Sequence, residues 1–308
     1  MNIQEILDNH NLILTEAAVI ESLRRSGNVN LHPRLENALL IYKEGDKEEL
    51  SKLYHDFIAL ACNADVPITI CTPTWRANQE RISEAHISDD INGDAVKFFR
   101  HLKESWGAQA ANIFIGGLIG CKNDCYKPDE GLSEHDAKVF HSWQIHRLAR
   151  AGVDFLMGAT LPAISEATGI ALSMMETKLP YIISFVINRE GKILDGNSLE
   201  HAFQEIDTAC STPPLGYMIN CAYPSFLHAD KQPRSVLSRL IGYQANASSL
   251  DQSDLDGAGT LRTNDVSDWG KLMIELNKKY GVKILGGCCG TGHEHLRYIV
   301  RNINKKYM

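Results

Sequence analysis

The chain has 308 residues, 44% hydrophobic and 22% charged, an ordinary balance for a globular protein with a sizeable core, and one that excludes disordered and fibrous classes. A formal net charge of −7 argues against general affinity for nucleic acid or an anionic membrane, since both need clustered Lys and Arg, and favours a small-molecule partner. No segment approaches the ~20 apolar residues of a membrane span, and the opening MNIQEILDNHN has no basic region followed by an apolar run. A cytoplasmic location is therefore expected, with the eight cysteines kept as thiols rather than built into a disulfide framework. The stretches 78–93 and 246–264 lack apolar periodicity and read as loops, not as interdomain tethers, so one domain spanning 1–308 is expected.

Short apolar runs rich in β-formers recur along the chain with helical patterns between them, the signature of βα units and a parallel sheet. In order they are Asn11–Leu14, Val66–Cys71, Asn112–Gly116, Asp154–Met157, Tyr181–Ile187, Gly216–Ile219, Arg239–Gly242 and Val282–Gly286, the seventh being the weakest. Between the third and fourth, Ala137, Phe140, His141, Ile145, Leu148 and Ala149 fall on one helical face. Ser133, with Asp136 three residues on, is placed to open that helix, and Asn264 or Asp265 to open one reaching Tyr280; Gly152 and Gly281 sit where these helices should stop. Eight alternations predict a closed (β/α)8 TIM barrel, with its chemistry at the C-terminal ends of the strands.

Cys221 directly follows the sixth run, and Cys288 and Cys289 follow the eighth within Gly286-Gly-Cys-Cys-Gly-Thr-Gly292, so all three belong on one rim. Neighbouring residues on a strand point to opposite faces; Cys288 and Cys289 can share a target only if the backbone turns sharply, which Gly286, Gly287, Gly290 and Gly292 permit. Three soft thiolates suit zinc, and three protein ligands leave the fourth tetrahedral position for a substrate. The same glycine-rich segment also fits a phosphate cradle, a frequent use of loops after the last barrel strands, although paired cysteines contribute nothing to that task. Cys62, Cys71 and Cys210 read as small apolar fillers. Cys121 and Cys125, at the end of the third run, match no common zinc spacing.

At these residues the sequence resembles the homocysteine S-methyltransferase family. The resemblance rests on Gly286-Gly-Cys-Cys-Gly-Thr291 and Asn220-Cys221. It extends over His32-Pro33, Ala64-Asp65, Thr72-Pro-Thr74, Ala151-Gly-Val-Asp154, Ser184-Phe185 and Asp195-Gly-Asn-Ser-Leu199. It implies a barrel holding one Zn2+ through Cys221, Cys288 and Cys289, and transfer of a methyl group from a small-molecule donor to the thiol of homocysteine or a related thiol, a step of methionine biosynthesis. Metal-held thiols ionise near neutral pH, so no further general base is required.

Two departures bear on the acceptor. The family opens with an Asp-Gly-Gly-type loop after the first strand, where this chain has Thr15-Glu-Ala-Ala-Val-Ile20; it carries a glutamate after the fourth, where this chain reads Met157-Gly-Ala-Thr-Leu-Pro162. The resemblance implies that those acids hold the amino group of homocysteine. Glu16 is the available substitute, yet a one-residue shift on a strand turns a side chain to the opposite face. A different thiol acceptor, or a zinc-binding barrel without catalysis, are the alternatives. Thr72, Thr74 and Asn220 are candidate substrate-binding residues, and Arg76 a candidate carboxylate partner or solvated loop residue. His228, His293 and His295 read as helix-surface residues. The methyl donor (S-methylmethionine, betaine, S-adenosylmethionine or methylfolate) has no legible motif.

Overall fold

The computed structural model describes residues 2–251 and 262–304. Eight parallel strands pair in chain order and close on themselves: β1 (Ile13–Thr15), β2 (Ile68–Cys71), β3 (Ile113–Ile119), β4 (Phe155–Leu161), β5 (Tyr181–Phe185), β6 (Gly216–Ala222), β7 (Leu240–Ala245) and β8 (Ile284–Gly287), with β8 returning to β1. Helices outside the barrel follow the strands, so the fold is the expected (β/α)8 barrel. Both faces of a barrel strand are covered, one by the interior and one by helices, which is why the strands read as continuous apolar runs rather than alternating ones.

Each expected run overlaps one strand, the weak seventh included. The runs stop short, however, because β3, β4, β6 and β7 continue past the last residue that sequence pattern assigns to them. The added positions include Ala159, Thr160, Asn220, Cys221 and Gln244, small or polar residues that interrupt the apolar run because they face a cavity at the barrel mouth.

Helix boundaries follow the expected chemistry. The Ser133 side chain accepts from Asp136 N at the start of the helix Glu134–Ala151, and Gly152 ends it at φ 86°. Asp265, rather than Asn264, caps the helix Val266–Tyr280, and Gly281 ends it at φ 77°. The stretch 78–93 is not wholly a loop: it contains a helix, Gln79–Glu84, capped by Asn78, and the start of another, Ile91–Glu104. The first buries only Ile82, too little to leave a periodic signature. Of 246–264, residues 246–251 and 262–264 are irregular and the remainder lies outside the described residues.

A helix at Ile3–Asn9, to which no element was assigned in the sequence, precedes β1. It is held by a capping box, Glu5 N donating to Asn2 Oδ1 at 2.9 Å and Asn2 N to Glu5 Oε2 at 3.1 Å. Its Ile3, Ile6 and Leu7 pack with Ile13, Phe114, Phe155 and Ile284, residues at the starts of four strands, and so close the N-terminal end of the barrel. The open end is the C-terminal one.

Candidate metal centre and substrate cavity

A cavity of about 690 Å³ lies at that open end, walled by residues from the ends of all the strands except β5. Glu16 follows β1, Thr72 follows β2, Leu118 belongs to β3, Ala159 and Thr160 to β4, Asn220 and Cys221 to β6, and Gln244 to β7, while Cys288 and Cys289 follow β8.

The two parts of the cysteine cluster are shaped differently. Cys221 lies within β6 rather than after it, and its φ of 55° breaks the strand, shifting the pairing with β7 between Asn220 and Ala222. The Cys288–Cys289 turn is fixed by Cys288 N donating to Ala245 O (2.8 Å), Ala247 N to Cys289 O (2.9 Å) and Thr291 Oγ1 to Cys288 O (2.6 Å). Among the four glycines expected to permit this turn, only Gly290 has a positive φ, 78°. Gly287 is needed for space instead, since a Cβ there would collide with the Thr291 hydroxyl.

The Sγ atoms of Cys221, Cys288 and Cys289 all lie within 4.8 Å of one another, the one such group of His, Cys, Asp and Glu ligand atoms among the described residues. Those of Cys221 and Cys288 are in contact, with Cα atoms 5.4 Å apart, a separation that serves a disulfide or two ligands of one ion. Burial, followed by the charge of Glu21, pushes the Cys289 thiol up to about 11. Thiolates gathered in such a site need a cation to keep them ionised, and three soft sulfurs at this spacing fit a metal ion of zinc's character.

Glu16 is on the cavity wall, because β1 ends at Thr15 and strand alternation no longer governs the next side chain. It is only 6% exposed. Burial raises its carboxyl from 4.5 to about 7, against hydrogen bonds from its own backbone, from Thr15 Oγ1 (3.1 Å) and from Cys71.

Other candidates sort themselves by their partners. Thr72 lines the cavity, but Thr74 is not on the wall: its hydroxyl donates to Leu118 O (2.8 Å), and it stands 2.8 Å from that of Thr72. Asn220 lines the cavity with its amide fully engaged by protein groups. Arg76 is neither solvated nor paired with a carboxylate; it is buried, donates to Cys121 O (2.9 Å) and Asn123 O (2.7 Å), and lies over the Trp75 ring. His295 is buried rather than on the helix surface, accepting from Gly292 N at 3.1 Å and packing edge-on against Trp269. His228 is at a left-handed position bonded to Arg189 O (2.7 Å), and His293 pairs with Arg297.

Sequence reading missed the segment after β3 as a cavity wall. Cys125 and Tyr126 both line the cavity, and Tyr126 hydrogen-bonds the Cys289 sulfur. The segment is tied at its base by a buried carboxylate. Glu166 accepts from Lys122 N (2.7 Å) and Leu132 N (3.4 Å) and pairs with buried His141 Nε2 at 2.9 Å. Burial pushes the Glu166 carboxyl up, but the His141 contact and the two amides outweigh it and hold it below the ordinary range. The Cys121–Cys125 spacing was the available signal, though it pointed to the thiols and not to the tyrosine beside them.

A closed (β/α)8 barrel with three clustered cysteine sulfurs at its C-terminal mouth defines the class. Residues 13–303 match the family model described as Homocysteine S-methyltransferase, and the chain belongs to that family of S-methyltransferase enzymes, whose chemistry is methyl transfer to a thiol. It is 27% identical over 315 residues to the protein named Homocysteine S-methyltransferase YbgG of Bacillus subtilis (strain 168), covering 96% of each chain. The crystal structure of the homocysteine methyltransferase MmuM from Escherichia coli in its metallated form superposes with a TM-score of 0.72 at 18% identity, over 96% of this chain and 98% of that one. The oxidized form of the same protein gives 0.73 at 18% identity, over 96% and 97%. Among the described residues no helix is long and apolar enough to cross a membrane.

Proposed function

We propose that this chain is a zinc-dependent S-methyltransferase acting in the cytoplasm, moving a methyl group from a small-molecule donor to the thiol of homocysteine or a related thiol. The observation that carries this reading is the meeting of three cysteine sulfurs within 4.8 Å on the wall of a cavity large enough for two small substrates. Cys221, Cys288 and Cys289 hold the zinc, and when bound the metal supplies the charge that keeps an acceptor thiol ionised near neutral pH.

The remaining steps belong to the chain's own groups. The helix Ile3–Asn9 and the apolar interior seal the barrel from below, so reactants enter and water leaves through the mouth. Glu16 sits on the wall where the amino group of an amino-acid thiol can meet a carboxylate. Because burial holds that carboxyl near 7, an arriving ammonium displaces a proton from Glu16, and the pair forms without leaving a buried charge uncompensated. Thr72, after the neighbouring strand β2, lines the same part of the wall, its hydroxyl bonded to that of Thr74 at 2.8 Å and accepting from Leu118 N at 3.2 Å.

A second acceptor reading, a thiol without the amino group, is favoured by Ala159: it is buried on the cavity wall where the family resemblance implies an acid. Metal analysis and a substrate screen test both readings. The purified chain is expected to hold about one zinc, and Cys221→Ala, Cys288→Ala and Cys289→Ala each to lose most of it. Full occupancy in all three variants would overturn the assignment. Several thiols assayed against S-methylmethionine, betaine, S-adenosylmethionine and methylfolate identify acceptor and donor.

A further inference from the structure

β4 and β6 each break at the cavity, and the two breaks are tied to each other. Thr160 and Cys221 are both buried, and both have left-handed backbones, with φ 59° and 55°. That region disfavours any side chain, and a β-branched threonine most of all, so such a residue persists only where its surroundings hold it. Each break also shifts the strand pairing, between Gly158 and Leu161 on β4 and between Asn220 and Ala222 on β6.

The tie is the Asn220 amide, with every hydrogen-bonding position in use. Its Oδ1 accepts from Thr160 N at 2.9 Å and from Ser184 Oγ at 2.6 Å. Its Nδ2 donates to Thr160 Oγ1 at 2.6 Å and to Cys221 Sγ at 3.5 Å. Nothing in this amide is left for a substrate. On a regular strand Asn220 and Cys221 would face opposite ways, yet both line the cavity, which the left-handed turn at Cys221 makes possible.

We infer that Asn220 is a positioning residue for Cys221: by gripping the strained Thr160 and donating to the Cys221 sulfur, it holds that sulfur toward Cys288 and Cys289. The inference rests on the metal reading above. Outer groups that orient a metal ligand typically change metal affinity by about 10–100-fold when removed, and a hydrogen bond to a thiolate also withdraws electron density from the sulfur.

The test uses the full chain loaded with Zn2+ or with Co2+, whose sulfur-to-metal charge-transfer absorption reports thiolate electron density. In Asn220→Ala, competition with a chromophoric chelator should show zinc held about tenfold or more weakly, and the Co2+ charge-transfer band should move to lower energy. Thr160→Val, which deletes only the Oγ1 partner of the amide, should shift both readouts in the same direction by less. A role confined to folding would lower the melting temperature and leave the band of the folded, loaded variants unchanged. Wild-type zinc affinity and an unmoved band in folded Asn220→Ala would overturn the inference. Should that variant not fold, an unmoved band in Thr160→Val would overturn it equally. A wild-type chain that takes up neither ion would defeat the metal reading, and this inference with it, whereas a loaded wild type with unaffected variants would defeat this inference alone.

Discussion

Replacing Glu16 by Gln keeps the volume and the hydrogen-bonding oxygen of the side chain while removing its ability to ionise. Burial holds the Glu16 carboxyl at about 7 instead of 4.5, so between those values the folded chain keeps a proton that the unfolded chain has released. The sign follows from linkage: where the folded state binds more protons, stability falls as pH rises, so the wild type loses stability from about pH 4.5 upward and reaches the full loss above about pH 7. The displacement from 4.5 to about 7 corresponds to about 3 kcal/mol. Glu16→Gln has no such slope. Urea unfolding of both proteins across about pH 4 to pH 8 should show the variant gaining about 3 kcal/mol relative to wild type over that window. A difference that stays flat with pH would refute the reasoning, since it would mean that Glu16 is already ionised in the folded cavity. The same proton governs acceptor binding: KM for an amine-bearing thiol should fall as pH rises through about 7 in wild type and stay level in the variant.

Removing the metal should abolish activity and leave a folded barrel, because a core of this size does not depend on one ion as a zinc finger does. Circular dichroism and a thermal melt after chelation check this, and global unfolding would show the metal to be structural. Ala159→Glu should raise the kcat/KM ratio for homocysteine over its des-amino analogue by about tenfold, roughly 1.4 kcal/mol, as a second carboxylate meets the ammonium. Competition assays with the two thiols decide it, and a strong wild-type preference for homocysteine unaffected by the substitution would mean that Glu16 alone suffices.

The barrel was legible because its strands are covered on both faces and its helices carry ordinary caps, so local pattern and global fold agree. The three cysteines were legible because position at strand ends is enough to bring them to one rim. Thr74 and Asn220 share that position, and for them it misled: chain order places a residue at the mouth without showing which atom of its side chain is already bonded. Glu16 lines the cavity as a candidate should, and it is the objection from strand alternation that does not hold. Alternation was extended one residue beyond the end of β1, where the pleat no longer applies. Buried Glu166 and His141 gave no signal as a pair, because they stand on successive helices, Glu134–Ala151 and Ile164–Glu176, with β4 between them, and meet only in three dimensions.

Glu166 receives backbone amides from both Lys122 and Leu132, so the segment between them is, in effect, a ring whose clasp is a side chain from the helix Ile164–Glu176, which follows β4. A ring fixed at its base can change at its tip without losing its place, because the entropy of closing it grows only slowly with its length. Residues 123–131, which bring Cys125 and Tyr126 to the cavity, are therefore an exchangeable cassette. Their length and composition can be redesigned to reshape the wall of the cavity, provided that Glu166, His141 and the two anchoring amides stay as they are.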